Sequence, residues 1–436
     1  MVPKVIRDPV HDYIPIDRDK GGVFLSLIGT AEFQRLRRIH QLGVSQFTYP
    51  GAVHCRLSHS LGVHHLARLA LEYVKQQYPG ELDDEIAVAA LCWALLHDVG
   101  HGPYSHLLES QFGGDHEILT RRIIMEDTEV NAVLRKHSAN LPGLIVALAE
   151  KGDRDNLWLS ALISSQLDVD RIDYLMRDAH FTGVQYGHFD HYRLIHTFEL
   201  RKCGQKFLQP VWQAKAGHAI EEYLFARYFM YRSVYFHHTT RGFEQMLRAI
   251  IRRAGQLQRE ASTFAPECLG AMQKMLLGKA DDLQAFLCLD DSVVQAHISH
   301  WRLSKDPILS DLCRRFCNRK RFSAISVGRQ QNPLTIANKI NEARKYLADH
   351  EVDPEFYLYC DTIGTSVYDY YHPEEAPDET SAINSILLVD GKGKPKEISR
   401  VADHIKSVTG RLDQSGVTHK YYCHPDHAKK VEEILA

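Results

Sequence analysis

The stretch Leu91–His106, LCWALLHDVGHGPYSH, constrains this chain more than any other. The apolar run that starts at Ala87 has no polar side, so it reads as a helix buried all round. It ends on His97-Asp98, two groups that are costly to bury without partners. Gly100 and Gly102 stop the helix, and His101 and His106 follow in the same loop. A His beside an Asp at the end of a buried helix points metal-ligand or proton-transfer groups into one pocket.

Composition narrows what that pocket serves. A chain of 436 residues suffices for roughly two or three domains, or one large helical domain with an appendage. A net charge of −3 sets up no field that recruits nucleic acid or an anionic membrane, so an anionic ligand must be drawn by a local cluster. Many of the 26 histidines lie between Tyr49 and His116, a bias compatible with metal chemistry. The nine cysteines include no CxxC pair, and even Cys313 and Cys317 are read as reduced thiols. No apolar core follows the charged Met1–Asp8, and Ala87–Leu96 is about half a membrane span, so a cytoplasmic location is expected.

Along the chain, Pro3, Pro9, Pro15 and Gly21-Gly22 predict an irregular or hairpin start over residues 1–30. Thr30 is placed to cap a helix over Ala31–Ile39. Helical periodicity recurs over Ser58–Gln77, from Asp83-Asp84 to Asp98, and over Glu117–Met125, Asp127–His137 and Leu141–Glu150. It continues over Leu157–Arg177 and, strongly, over Gly217–Ala254. After about Gln330, Glu355–Cys360, Ser385–Val389 and Thr418–Cys423 read as strands, with helices over Lys396–Thr409 and His427–Leu435 and a Pro/Glu/Asp-rich loop at Pro373–Thr380. The fold class expected is mainly α, with a helical core over residues 1–330 and a small α+β unit over residues 331–436.

Imidazoles and carboxylates together suit Fe, Mn, Zn or Ni and leave positions open for water. His59, His97, Asp98 and Asp170 are the candidates. In LDVDRIDYLMRD, Asp170, Tyr174 and Arg177 fall at i, i+4 and i+7 and suggest a cleft-facing stripe. In ARYFMYRSVY, Arg227, Tyr231 and Tyr235 recur at four-residue steps on another face. Each residue alone has a plainer reading as a cap, an ion-pair partner or helix core; the ordered set H…HD…D is far more specific.

That order resembles the HD superfamily of metal-dependent phosphohydrolases. FQRLRRIHQLG, YPGAVHCRLSHSLGV, HDVGHGPYSH and DVDRIDYLMRD are similar to blocks of the deoxynucleoside triphosphate triphosphohydrolases, which include mammalian enzymes with SAM and HD domains and bacterial dGTP-activated members. The likeness spans about residues 1–325, and with no SAM domain ahead of the helical core the bacterial form is the nearer match. The resemblance implies a divalent transition metal (Fe, Mn, Zn or Ni) on His59, His97, Asp98 and Asp170, with Mg accompanying the substrate phosphates. It implies that His101, His106, Glu109 and His116 position water and protonate the leaving oxygen, and that Arg56, Arg171 and Arg227 bind the triphosphate, where guanidinium forks suit phosphate oxygens. Gln41 and Asp178 match positions that bond the sugar 3′-hydroxyl, Leu42 and Tyr235 positions that crowd the 2′ carbon, and Tyr174 a position under sugar and base, with Tyr231 beside them.

Four residues depart from the family pattern. Arg171 stands where Lys is common, Tyr231 where the mammalian enzyme has His, and Glu109 where Asp occurs. Gly29 stands where an Asp contacts the activating guanine nucleotide, although Gln34 and Arg37 of that stretch match. The basic run Arg314, Arg315, Arg319, Lys320 and Arg321 reads equally as a second nucleotide site or a solvated helix end.

The implied reaction is hydrolysis of a dNTP to deoxynucleoside and tripolyphosphate. The implied partners are a dNTP, an activating nucleotide and further copies of the chain as dimer or tetramer; no membrane is expected, and nucleic acid is the least favoured partner. Two alternatives stay open at this point. One is an HD phosphohydrolase of nucleoside monophosphates or cyclic nucleotides, which needs fewer cations. The other is a non-catalytic nucleotide- or nucleic-acid-binding regulator with a structural metal.

Overall fold

Prolines and an acidic turn make the N-terminus a hairpin: β1 (Lys4–Asp8) pairs antiparallel with β2 (Asp12–Ile16), and Asp12 turns the chain at φ 58°. The computed structural model describes residues 2–18, 22–112, 114–153, 155–202, 208–279, 281–327, 333–363, 384–390, 393–402, 405 and 418–436. After α1 (Val23–Gly29), the Thr30 side chain accepts from the Phe33 N–H and opens α2 (Ala31–Arg35), which tightens into a 3-10 turn at Leu36–Arg38.

Helix α3 (Arg56–Gln77) packs against α4 (Asp84–Leu96), which Asp83 caps by accepting from the Glu85 and Ile86 N–H groups. Every residue from Ala87 to Leu96 is buried, as the apolar run requires. Each fully buried Leu there contributes roughly 2 kcal/mol of transfer free energy before entropy is set against it. Then come α5 (His106–Phe112), α6 (His116–Met125), α7 (Glu129–His137) and α8 (Leu141–Ala149), of which α8 packs on α4.

Two long expected helices are broken. Leu157–Arg177 is α9 (Leu157–Ile163) and α10 (Val169–Thr182), because the Asp168 carboxylate accepts from the Ser165 and Arg171 N–H groups and starts a new helix. After α11 (His191–His196) and the hairpin β3 (Phe198–Lys202)–β4 (Leu208–Trp212), the expected Gly217–Ala254 helix is α12 (Gly217–Met230), a π turn at Tyr231–Tyr235, and α13 (His238–Arg259). The π turn widens the helix where two tyrosines face the cavity described below.

Helices α14 (Gly270–Leu276), α15 (Leu283–Leu287), α16 (Asp291–Trp301) and α17 (Pro307–Cys317) build a second core on α13. The C-terminal third contributes β5 (Ser323–Ser326), α18 (Pro333–Asp349), α19 (Pro354–Tyr357), β6 (Leu358–Ile363), β7 (Leu387–Val389), β8 (Pro395–Glu397), β9 (Thr418–Cys423) and α20 (Ala428–Leu435). Strands β5, β9 and β6 form an antiparallel sheet covered by α18 and α20. Strands β7 and β8 instead extend the β3–β4 hairpin, β7 running parallel to β4 with Leu388 opposite Trp212.

The strand expected at Glu355–Cys360 thus begins with a short helix, and Lys396 belongs to a strand rather than to a helix start. The Pro373–Thr380 loop and residues 403–404 and 406–409 of the expected 396–409 helix lie outside the described residues, and Ile398–Arg400 is a 3-10 turn. Among the described residues the cysteines are free thiols, and no helix is long and apolar enough to cross a membrane.

Burial on α3 has a measurable consequence at acid pH. His64 packs on Phe24, donates from Nδ1 to the Leu91 carbonyl at 3.1 Å, and is pushed down to about 4 by burial. It stays neutral when folded, whereas the unfolded chain takes up a proton below about pH 6.5. Stability therefore falls as pH drops from about 6.5 to 4, by up to roughly 3 kcal/mol from this group. Urea unfolding at pH 7.5 and 5 reads this. His64→Asn keeps a donor to the carbonyl without a titrating proton, so it flattens the slope; an unchanged slope contradicts the assignment.

Candidate metal and phosphate site

The His97-Asp98 turn is held from both sides. Thr120 Oγ1 on α6 accepts from the Gly100 N–H at 3.0 Å and donates to the His97 carbonyl at 3.2 Å. A Cβ on residue 100 would lie 2.2 Å from the His116 carbonyl oxygen, so glycine there lets α6 close on the turn. From the other side the buried Arg35 guanidinium donates to the Val99, His101 and Leu289 carbonyls, at 3.0, 2.7 and 3.0 Å. Burial pushes Arg35 down to about 10, which leaves it charged at neutral pH.

Around this turn His59, His97, Asp98 and Asp170 converge from α3, the end of α4 and the start of α10. His59 Nε2 stands 3.0 Å from Asp170 Oδ1 and 3.7 Å from Asp98 Oδ2; His97 Nε2 stands 3.6 Å from Asp170 Oδ1 and 3.4 Å from Asp98 Oδ1. Both tautomers are fixed from behind. His97 Nδ1 donates to the Ala94 carbonyl at 3.0 Å and His59 Nδ1 to Asp173 at 2.7 Å, which turns both Nε2 atoms toward the Asp98 and Asp170 carboxylates; despite burial, these acids and Asp173 push His59 up to about 10 and raise His97. The two rings meet at 76°, so both planes can contain one ion. His97 Nε2 is buried with no hydrogen-bond partner among the described residues. This donor set fits a divalent transition metal.

A second quartet lies beside it. His101, His106 and His116 each bring Nδ1 to 3.1 Å from Glu109 Oε1, while His101 Nε2 lies 3.3 Å from Asp98 Oδ1. The rings of His101 and His116 stack with centroids 4.0 Å apart and planes 9° from parallel. The donor atoms of His101, His106, Glu109 and His116 are close enough together to hold an ion or to pass a proton. Burial, aided by the Arg56 charge, pushes His101 down to about 4 and keeps it neutral. Burial works against ionisation of Glu109 too, but three imidazoles outweigh it and hold the carboxyl well below its usual range.

The loop into this quartet is strained: Tyr104 and Ser105 are both left-handed at φ 55°, which costs on the order of 1 kcal/mol or more each. Asp291 sustains it by accepting from the Tyr104 N–H at 2.6 Å and from His40 Nδ1 at 2.6 Å. Ser105 Oγ accepts from Arg56 Nε at 2.7 Å, and the Arg56 guanidinium pairs directly with Asp98.

A cavity of about 680 Å³ opens over both groups. Gln41, Leu42, Arg56, Arg171, Tyr174, Asp178, Tyr231 and Tyr235 line it together with His101, His106, His116 and the four metal candidates. Arg227 is buried behind Tyr231, 5.8 Å from its ring centroid. Arg227 Nε and Nη1 and Arg171 Nε are buried with no hydrogen-bond partner among the described residues.

Several expected contacts are placed differently. The α10 stripe facing the cavity is Asp170, Tyr174 and Asp178, whereas Arg177 is fully buried on Asp173 and Asp8. The Asp178 oxygens are already held, by His54 Nε2 at 2.7 Å and Tyr235 OH at 2.8 Å. Gln34 and Arg37 bond each other at 3.2 Å in an exposed position outside the cavity. In the basic run, Arg314, Arg315, Arg319 and Arg321 are bonded to Arg302, Asp311, Phe47 and Thr239. Arg35, Asp291 and Asp173 went unmarked in the sequence. Arg35 and Asp173 lie within the blocks FQRLRRIHQLG and DVDRIDYLMRD, but their spacing does not separate them from cavity-facing residues.

Residues 56–178 match the HD domain and residues 189–355 the HD associated region. The chain is 39% identical over 442 residues to the uncharacterized protein YwfO of Bacillus subtilis, across 99% of this chain and 97% of that one. The solved structure of a phosphohydrolase, BT4208 from Bacteroides thetaiotaomicron, superposes with a TM-score of 0.79 at 27% identity, over 97% of this chain and 99% of that one. The deoxynucleoside triphosphate triphosphohydrolase SAMHD1 of Gallus gallus is 30% identical over 241 residues, 47% of this chain and 38% of that protein. The chain belongs to the HD domain family of metal-dependent phosphohydrolases, in the form that carries the HD associated region.

Proposed function

We propose that this protein hydrolyses deoxynucleoside triphosphates to deoxynucleoside and tripolyphosphate. The observation that carries the reading is a pair of arginines, Arg171 on the cavity wall and Arg227 buried against the cavity residue Tyr231, which keep buried N–H groups without partners among the described residues. Buried guanidinium N–H groups without acceptors are costly, and a polyphosphate supplies both charge and acceptors. The reaction named for the chicken relative supports the same reading.

His59, His97, Asp98 and Asp170 would hold the divalent metal, which supplies Lewis acidity and lowers the pKa of a bound water. Arg56 fixes Asp98 and contributes charge at the phosphates; Arg171 and Arg227 hold the leaving tripolyphosphate. Water adds to the α-phosphorus as the bond to O5′ breaks, and the departing O5′ takes a proton. His106 and His116, at the cavity wall on Glu109, supply it, and neutral His101 connects that quartet to Asp98. Gln41 and the Asp178–Tyr235 pair bond the sugar, while Leu42 and Tyr235 leave little space at the 2′ position and Tyr174 and Tyr231 face the base.

The reading predicts intact tripolyphosphate when dGTP is turned over with Mn. Pyrophosphate or single phosphate as the initial product sinks it.

A further inference from the structure

Asp173 does not line the cavity, yet four donors fill its two oxygens. Oδ2 accepts from His59 Nδ1 at 2.7 Å and Arg177 Nε at 2.9 Å; Oδ1 accepts from His11 Nε2 at 2.6 Å and Arg177 Nη2 at 3.0 Å. A carboxylate has about four lone-pair sites, so this one is saturated and its rotation blocked. Arg177 is itself anchored from outside α10, its Nη1 donating to Asp8 Oδ2 at 2.9 Å. Asp8 Oδ1 accepts from the backbone N–H groups of Val10 and His11, which fixes the turn that carries His11. Asp8 and His11 therefore come from one hairpin tip, and both act on the same buried carboxylate.

Helix α3 is shaped to admit the arrangement. A Cβ on Gly62, one turn after His59, would fall 1.8 Å from Asp173 Oδ1 and 2.6 Å from Arg177 Nη2. Only glycine leaves room for the carboxylate between α3 and α10.

We infer that the tip of the N-terminal hairpin is a working part of the metal centre: His11, with Asp8 acting through Arg177, locks Asp173, and Asp173 orients His59 so that its Nε2 faces the ion. His11 is a positioning residue. It lies behind the ligand and touches neither substrate nor metal. The inference rests on the reading of His59 as a ligand. Partners of this kind, behind a metal-bound His, typically change metal affinity by 10–100-fold when removed.

The cobalt-loaded 436-residue chain tests it, by competition of Co²⁺ with a chelator, its visible absorption, and thermal melting of the metal-free protein. His11→Ala is expected to weaken Co²⁺ binding 10–100-fold and alter the visible band, with turnover recovered at raised metal concentration. His11→Gln places an amide N–H where Nε2 stood and is expected to retain affinity within about threefold, a rescue that a bulk packing role would not give. Asp173→Asn, which keeps the shape but loses acceptors, is expected to behave like His11→Ala. Wild-type Co²⁺ affinity in both His11→Ala and Asp173→Asn overturns the inference, as does equal weakening by His11→Gln and His11→Ala. If His59→Ala itself binds Co²⁺ normally, the ligand reading fails first; if His59→Ala loses Co²⁺ and His11→Ala does not, only the positioning role fails.

Discussion

His97→Ala is expected to fold normally and yet lose both bound metal and at least ~10³-fold in turnover. The two effects separate because of how the side chain is held. Its Nε2 has no protein partner, and its Nδ1 makes one bond to the Ala94 carbonyl at the end of α4. Losing that bond costs about 1 kcal/mol. Asp98→Ala should lose metal and turnover to the same degree but also melt earlier. Asp98 is paired with the buried Arg56, and removing one partner of a buried pair costs about 3–5 kcal/mol. Metal content by elemental analysis, turnover and thermal melting, measured on both variants, distinguish the roles. An active His97→Ala that retains its metal would falsify the tetrad.

The tetrad was legible in the sequence because its chemistry is local. His97-Asp98 closes a run with no polar side, and Asp170 opens a helix in a block dense with acid and arginine. What was not legible came from long-range pairing. His11 and Asp173 are 162 positions apart, and nothing in DPVHD marks its His as buried rather than as a solvated turn residue. The same holds for Asp291, which steadies the strained Tyr104–Ser105 loop from α16, and for β7, whose place beside β4 depends on a parallel pairing far along the chain. The broken helices have a different cause. Apolar periodicity runs through residues 157–177 without interruption, so the Asp168 cap was outvoted by pattern. The π turn at Tyr231–Tyr235 likewise keeps the spacing of tyrosines while shifting their direction.

That shift bears on the anion site and on the cleanest probe of it. Arg171, on the cavity wall, and the buried Arg227 are close enough to repel each other, but they are not equally supported. Arg171 Nη1 donates to the buried Asp168 at 2.5 Å, so removing it strands an acid at the helix start. Arg227 has no carboxylate partner among the described residues and offers two unpaired N–H groups. Arg227→Ala should therefore lower the melting temperature less than Arg171→Ala does, because it strands no buried carboxylate. Against a triphosphate it should lower kcat/KM by ~10²–10³, about 3–4 kcal/mol of charge-assisted hydrogen bonding at the leaving group. Against a small phosphodiester, which has no β or γ phosphate to hold, the loss should be under tenfold. The contrast between the two substrates is the measurement. Equal losses on both would assign Arg227 to the architecture of the cavity rather than to the phosphate tail, and would favour a substrate with a short phosphate.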